Sequence, residues 1–275
     1  MTFSFRRPAP PAERRDHFDL DGVRLEYRWL GPSPDRAPTV VFLHEGLGSA
    51  LLWKDLPDQI AEHSRWSVLC YSRQGYGDSG PKPAPWPRSY LHDEALDVLP
   101  RVLAAAGVTR PVLVGHSDGG SIALIAASGG LDVAGVVAMA PHVMVEAETV
   151  AGVEGARQAF VAGRLRDHLA RHHGANVDDA FWGWCDAWLS FGIEGWDIRP
   201  LLTGITAPVL AVQGDDDEYG SLGQIEAVRE RVSGPVEARV LPACRHLLYR
   251  DQPAMVVEAI MDMLAWVEAA EASRA

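Results

Sequence analysis

The stretch PVLVGHSDGGSIALIAA, residues 111–127, joins a short apolar, β-branched run to a segment of helical period through Gly115-His116-Ser117-Asp118-Gly119. A strand that becomes a helix within so few residues must turn sharply, and glycines on both sides of the serine permit the close backbone approach such a turn needs. A serine at the tip holds its hydroxyl out beyond the strand. The N-terminus of the following helix then faces any negative charge that develops there. Ser117 is therefore the candidate nucleophile. Asp118, whose amide follows it, is the first candidate oxyanion donor.

Outward from this turn, TVVFLH, WSVLCYS, VAGVVAMAP, APVLAVQGD and VEARVLP are further short apolar runs, each ending in a polar or Gly-rich turn. Segments of helical period separate most of them, which predicts a parallel sheet covered on both faces by helices. Ahead of them, DGVRLEYRWLG with its Asp21-Gly22 turn reads as the second arm of an antiparallel hairpin. Helices are expected over 49–62, 89–106, 117–127, 221–232 and 252–270, with Gly107 and Gly129 as C-terminal punctuation. Residues 142–202, between two sheet strands, exceed any crossover helix and contain Trp182, Trp184, Trp188 and Trp196. They are expected to form a helical cap over the carboxyl ends of the strands. The plan is then a loose Pro- and Arg-rich arm over 1–15, a core of 16–141 and 203–275, and a cap of 142–202.

A serine hydroxyl needs a base within hydrogen-bond reach. The loop after the last apolar run, ACRHLLYRDQP, carries His246 just before the final helix. The strand APVLAVQ ends in Gly214-Asp215-Asp216-Asp217-Glu218, four carboxylates of which one must orient the imidazole. In the loop HEGLGS after TVVFLH, Gly46 is the candidate second oxyanion donor and Leu47 the fallback. His44 reads as support for that loop and His116 as pointing away from the reaction, while His172 and His173 fall in the cap. Three cysteines, Cys70, Cys185 and Cys244, show no CxxC spacing and read as free thiols, and no metal site or cofactor is expected.

Together, VFLHEGLGS, YSRQGYGDS, VGHSDGGSIAL, LAVQGDDDEYGS and CRHLLYRDQP resemble the α/β-hydrolase family of esterase and lipase type, over nearly the whole chain after the arm. The resemblance implies an α/β-hydrolase fold, a mostly parallel eight-stranded sheet flanked by helices with a helical cap inserted after strand 6. It also implies a Ser117, Asp217 and His246 triad, because relatives place the acid three residues past the glycine in G-x-x-D. Asp215 and Asp216 then become turn residues. Two departures stand out. Many relatives have His-Gly where this chain has His44-Glu45, and the Arg-Gly-x-Gly turn reads Arg73-Gln74-Gly75-Tyr76-Gly77. Glu45 is either paired outside the pocket or a polar handle within it. Serine at 117 argues against the haloalkane dehalogenases and epoxide hydrolases of this fold, which use an aspartate nucleophile.

For substrate contact the candidates are Glu45 and Leu47 from the oxyanion loop, His142 and Met144 after the sixth strand, and Trp182, Trp184 and Trp188 from the cap. Phe181 is a further wall candidate, and the opposing reading is that these aromatics merely hold a small cap together. Hydrophobic residues make up 47% of the chain and charged residues 23%, the balance of an ordinary globular protein. The net charge of -12 excludes a polyanionic partner such as nucleic acid. No apolar stretch is long enough to cross a membrane, and no apolar h-region follows the N-terminal arginines, so a cytoplasmic location without a membrane partner is expected. A homodimer is left open. The expected function is hydrolysis of a carboxylic ester, a small-molecule acyl substrate with a small to medium apolar or aromatic body. A C-C bond hydrolase, an aminopeptidase with Glu45 as amine anchor, and a ligand-binding receptor of this fold use the same residues and stay open.

Overall fold

The computed structural model describes residues 12–273. Eight strands form one sheet in the order β1-β2-β4-β3-β5-β6-β7-β8. They are β1 (Glu13–Leu20), β2 (Val23–Leu30), β3 (Thr39–Leu43), β4 (Ser67–Tyr71), β5 (Val112–His116), β6 (Gly135–Met139), β7 (Val209–Gly214) and β8 (Val236–Leu241). The β1 and β2 hairpin, and β2 against β4, are antiparallel. Every pairing from β4 onward is parallel. This is the α/β-hydrolase fold.

The central strands are buried along their whole length. Because successive side chains alternate between faces, one strand feeds two cores. Val41, Leu43, Leu113, Val136 and Ala211 pack on one face with α3 (Leu99–Ala106), α4 (Asp118–Ser128) and α8 (Gly223–Arg231). Val40, Phe42, Val114, Val137 and Val212 pack on the other with α1 (Leu56–His63) and α10 (Pro253–Ala272). Between β6 and β7 lie α5 (Ala147–Val161), α6 (Arg164–His173) and α7 (Val177–Glu194), which pack on one another.

Three expectations are corrected here. The arm expected over 1–15 is strand from Glu13, because Glu13 pairs with Leu30 and its carboxylate accepts from Arg28 Nε at 2.7 Å. Its residues 1–11 lie outside the described residues. The helix expected from residue 49 starts only at Leu56, with Pro57 in its first turn, where the fixed φ and missing N–H of proline suit a helix start. The helix expected over 89–106 holds a π-helical turn, Glu94–Val98, between α2 (Tyr90–Asp93) and α3. Leu99 N–H there bonds the carbonyl of Glu94, and the widened turn accommodates Pro100, which has no N–H and crowds the carbonyl four residues back.

Candidate active site

Ser117 stands between the end of β5 and the start of α4, with φ 52° and ψ -118°, a backbone that L residues avoid unless the surroundings enforce it. The enforcement is visible in the neighbouring glycines. A Cβ on Gly115 would collide with the Gly119 carbonyl, and one on Gly119 with the Leu43 carbonyl. Strand, turn and helix are thus pressed together at the only spacing glycine allows, and Ser117 N–H is tied to the Met139 carbonyl at 2.9 Å. As first residue of α4, Asp118 has an amide with no intrahelical acceptor.

The loop after β8 brings His246 to this turn. Its Nε2 lies 2.9 Å from Ser117 Oγ, and its Nδ1 lies 2.9 Å and 3.0 Å from the two carboxylate oxygens of Asp217. Asp217 is itself held by the Tyr219 N–H at 2.8 Å and by Gln213 Nε2 at 3.1 Å. Burial pushes the Asp217 carboxyl up, but the His246 hydrogen bond and charge and the Tyr219 amide outweigh it, leaving the group below the usual range and ionised. An ionised acceptor at Nδ1 requires Nδ1–H to donate, which leaves Nε2 free to accept from the serine hydroxyl. Of the four acids at the β7 terminus, Asp217 meets the ring, Asp215 accepts from the Cys244 N–H at 3.2 Å, and Glu218 accepts from the His246 N–H at 3.0 Å. His246 is held from behind by His116, whose Nε2–H donates to the His246 carbonyl at 2.7 Å. His116 therefore touches the site loop rather than pointing elsewhere.

A cavity of about 660 Å³, walled mainly by apolar surface, opens over the serine. Gly46, Leu47 and Asp118 border it beside Ser117, as do Glu45, His142, Trp184 and Trp188. Two substrate candidates do not reach it. Met144 forms an isolated bridge with Asp197, and its methyl lies beside Gly223. Trp182 packs edge-on against Phe160 and Phe181, because two residues along α7 rotate it about 200° away from the face that carries Trp184. Phe181 is fully buried and stacked on Phe160, so its role is to hold the insertion together. Trp184 and Trp188, one turn apart, share the inward face.

The carboxylates of Asp118 and Glu45 in the cavity wall are each held by partners. Asp118 is fully buried and accepts from Tyr90 Oη at 2.8 Å and from Trp188 Nε1 at 3.1 Å, with Arg73 3.6 Å away. Burial raises its carboxyl in spite of those partners. Arg73 donates to the carbonyls of His44 and Glu45, and so braces the loop that carries Gly46. Glu45 meets Tyr249 Oη at 3.3 Å and His116 Nδ1 at 3.6 Å. Burial works to raise its carboxyl, but the His116 ring and Arg73 more than offset this, and Glu45 is ionised at the cavity wall. His142 is lowered to about 3, first by burial and then by the nearby His246, so it is neutral, and its buried Nδ1 has no hydrogen-bond partner among the described residues.

Sequence reasoning missed Tyr219, whose ring lies 4.7 Å from the His246 ring at a tilt of 38°, and Tyr249. It also missed the bridging role of His173, which accepts from the Gly77 N–H at 3.0 Å and meets the Leu47 carbonyl at 3.0 Å. The adjacency of Tyr219 to Asp217 and of Tyr249 to His246 was the available signal.

The model of the alpha/beta hydrolase family matches residues 40–259. The putative carbamate hydrolase RutD of Caulobacter segnis is 36% identical over 107 residues, 38% of this chain. That match spans only 37% of the relative's own length. The serine hydrolase BPHL of Homo sapiens is 27% identical over 241 residues, covering 84% of this chain and 79% of that protein. Among solved structures, the enol-lactonase from Burkholderia xenovorans aligns with a TM-score of 0.70 over 91% of this chain and 100% of that chain, at 20% identity, a likeness of fold alone. Among the described residues no helix is long and apolar enough to cross a membrane.

Proposed function

The chain belongs to the alpha/beta hydrolase family, and we propose that it is a serine hydrolase cleaving a carboxylic ester of a small to medium apolar or aromatic substrate through an acyl-enzyme on Ser117. The observation that carries this reading is the continuous contact from Ser117 Oγ through the His246 ring to Asp217, at the floor of an apolar cavity.

In acylation, Ser117 Oγ attacks the carbonyl carbon while His246 Nε2 takes the hydroxyl proton, and Asp217 balances the charge of the imidazolium. The amides of Asp118 and Gly46 receive the oxyanion. Collapse expels the alcohol, which takes the proton from His246. A water then enters, gives its proton to His246 as it attacks the acyl carbon, and the released serine recovers that proton as the acid departs. Residues 142–202 serve as the cap, with Trp184 and Trp188 presenting apolar surface to the acyl group.

A second reading is favoured by one feature. Glu45 places an ionised carboxylate beside the oxyanion loop, which suits an amine-bearing substrate, and a named relative is a putative carbamate hydrolase. Cleavage of a carbamate or amide would use the same steps. The test is fluorophosphonate labelling of wild type and Ser117→Ala, followed by a panel of p-nitrophenyl esters, aminoacyl amides and carbamates. Labelling and ester turnover lost together in Ser117→Ala is the expected result. Undiminished turnover in that variant removes the serine from the mechanism, and preference for the amides or carbamates favours the second reading.

A further inference from the structure

The inward face of α6 carries Leu165, His168, Leu169 and His172, spaced three and four residues apart so that all four line the cavity. The two histidine rings lie 5.4 Å apart, and both residues are exposed. Lys54, from the loop before α1, and Arg250, from α9 (Leu248–Asp251) behind the catalytic loop, line the same cavity and are also exposed.

Their neighbouring carboxylates are engaged elsewhere. Asp55 accepts from Gln59 Nε2 at 3.1 Å, and Asp251 is forked by Arg245 at 3.0 Å. The three acids of the cavity wall are engaged too, Glu218 by the His246 amide, Glu45 by Tyr249 and His116, and Asp118 by Tyr90 and Trp188. A chain of net charge -12 therefore presents, among the described residues, two exposed cations that form no salt bridge, together with two imidazoles, at the exposed rim of an apolar cavity. Exposed cations at the rim of a cavity draw anions in, since apolar walls focus the field. Glu45, ionised beside the oxyanion loop, repels an anion from the scissile bond itself.

We propose that the cavity mouth formed by Lys54, Arg250, His168 and His172 binds an anionic group of the substrate, carboxylate or phosphate, separated from the scissile carbonyl by an apolar spacer. This names the substrate class for the hydrolase reading above and rests on it. The anion sits either on the acyl chain or on the alcohol, and matched esters separate the two. Mono-p-nitrophenyl suberate is compared with p-nitrophenyl octanoate, and 6-acetoxyhexanoate with hexyl acetate, in wild type and in the Lys54→Glu/Arg250→Glu double variant.

The expected result is a kcat/KM for one anionic ester about tenfold above its neutral partner, a preference erased by charge reversal and weakened by high salt. Anionic esters turned over no faster than their neutral partners, or a preference that survives charge reversal, would overturn the proposal. If wild type turns over no ester and Ser117 takes no label, the hydrolase reading fails on its own. Calorimetry of mono-p-nitrophenyl suberate against p-nitrophenyl octanoate with the Ser117→Ala protein then decides the anion site: tighter binding of the anionic ester supports it, and equal or weaker binding overturns it.

Discussion

Replacing Asp217 by asparagine probes the candidate triad with little change of volume. The carboxylate lies 2.9 Å and 3.0 Å from His246 Nδ1, which puts the centres of charge about 4 Å apart when the ring is an imidazolium. At an effective dielectric of about 20, a unit pair at that separation is worth about 4 kcal/mol. That attraction exists only after His246 takes the serine proton, so its loss falls on the barrier and corresponds to a drop in kcat of about a thousandfold. The loss deepens if the asparagine amide presents its N–H to Nδ1 and reverses the tautomer. The Tyr219 amide still finds an acceptor in the asparagine carbonyl, and Gln213 Nε2 keeps its bond to the Gly220 carbonyl, so the fold should survive. The assay is steady-state hydrolysis of a p-nitrophenyl ester, with far-UV circular dichroism on the same preparations. A kcat within tenfold of wild type, with the fold intact, would refute the assignment of Asp217. Stability supplies an independent reading. The folded carboxyl is depressed, so its stabilisation is present above the ordinary carboxylate value of about 4 and is lost as pH falls through the folded value. The wild-type melting temperature should therefore fall more steeply than that of Asp217→Asn as the pH drops below about 4.

Trp188→Phe removes the indole N–H donated to buried Asp118, and is expected to cost about 1 to 3 kcal/mol in urea unfolding; an unchanged midpoint would mean the bond contributes nothing. Gly46→Ala drives a methyl into the Trp184 indole, displaces the candidate oxyanion loop, and should lower kcat about a hundredfold, with partial recovery in Gly46→Ala/Trp184→Ala. Full activity of the single variant would sink that placement. The three thiols are buried, with Cys244 pushed up to about 11 and Cys185 to about 12 by burial, so none should react with a disulfide reagent at neutral pH until the protein is unfolded. Rapid native labelling of any one would contradict the burial.

What the chain declares locally was legible before any coordinates. The turn at Ser117 needs glycines at 115 and 119 because two backbones touch there, and that requirement is written into five consecutive residues. The parallel sheet follows from apolar runs too evenly buried to alternate, and the position of His246 from its place after the last of them. Contacts between distant segments could not be read so directly. Trp182, Trp184 and Trp188 look equivalent in sequence, yet the phase of one helix turns two toward the cavity and buries the third against Phe160. Met144 looked like a wall residue until its pairing with Asp197 took it away, and Glu45 looked like a stray carboxylate until His116 and Tyr249 closed on it from elements far along the chain. Backbone geometry depends on neighbours a few residues off and so shows in sequence; the direction of a side chain into shared space depends on everything packed around it, and only the folded chain decides it.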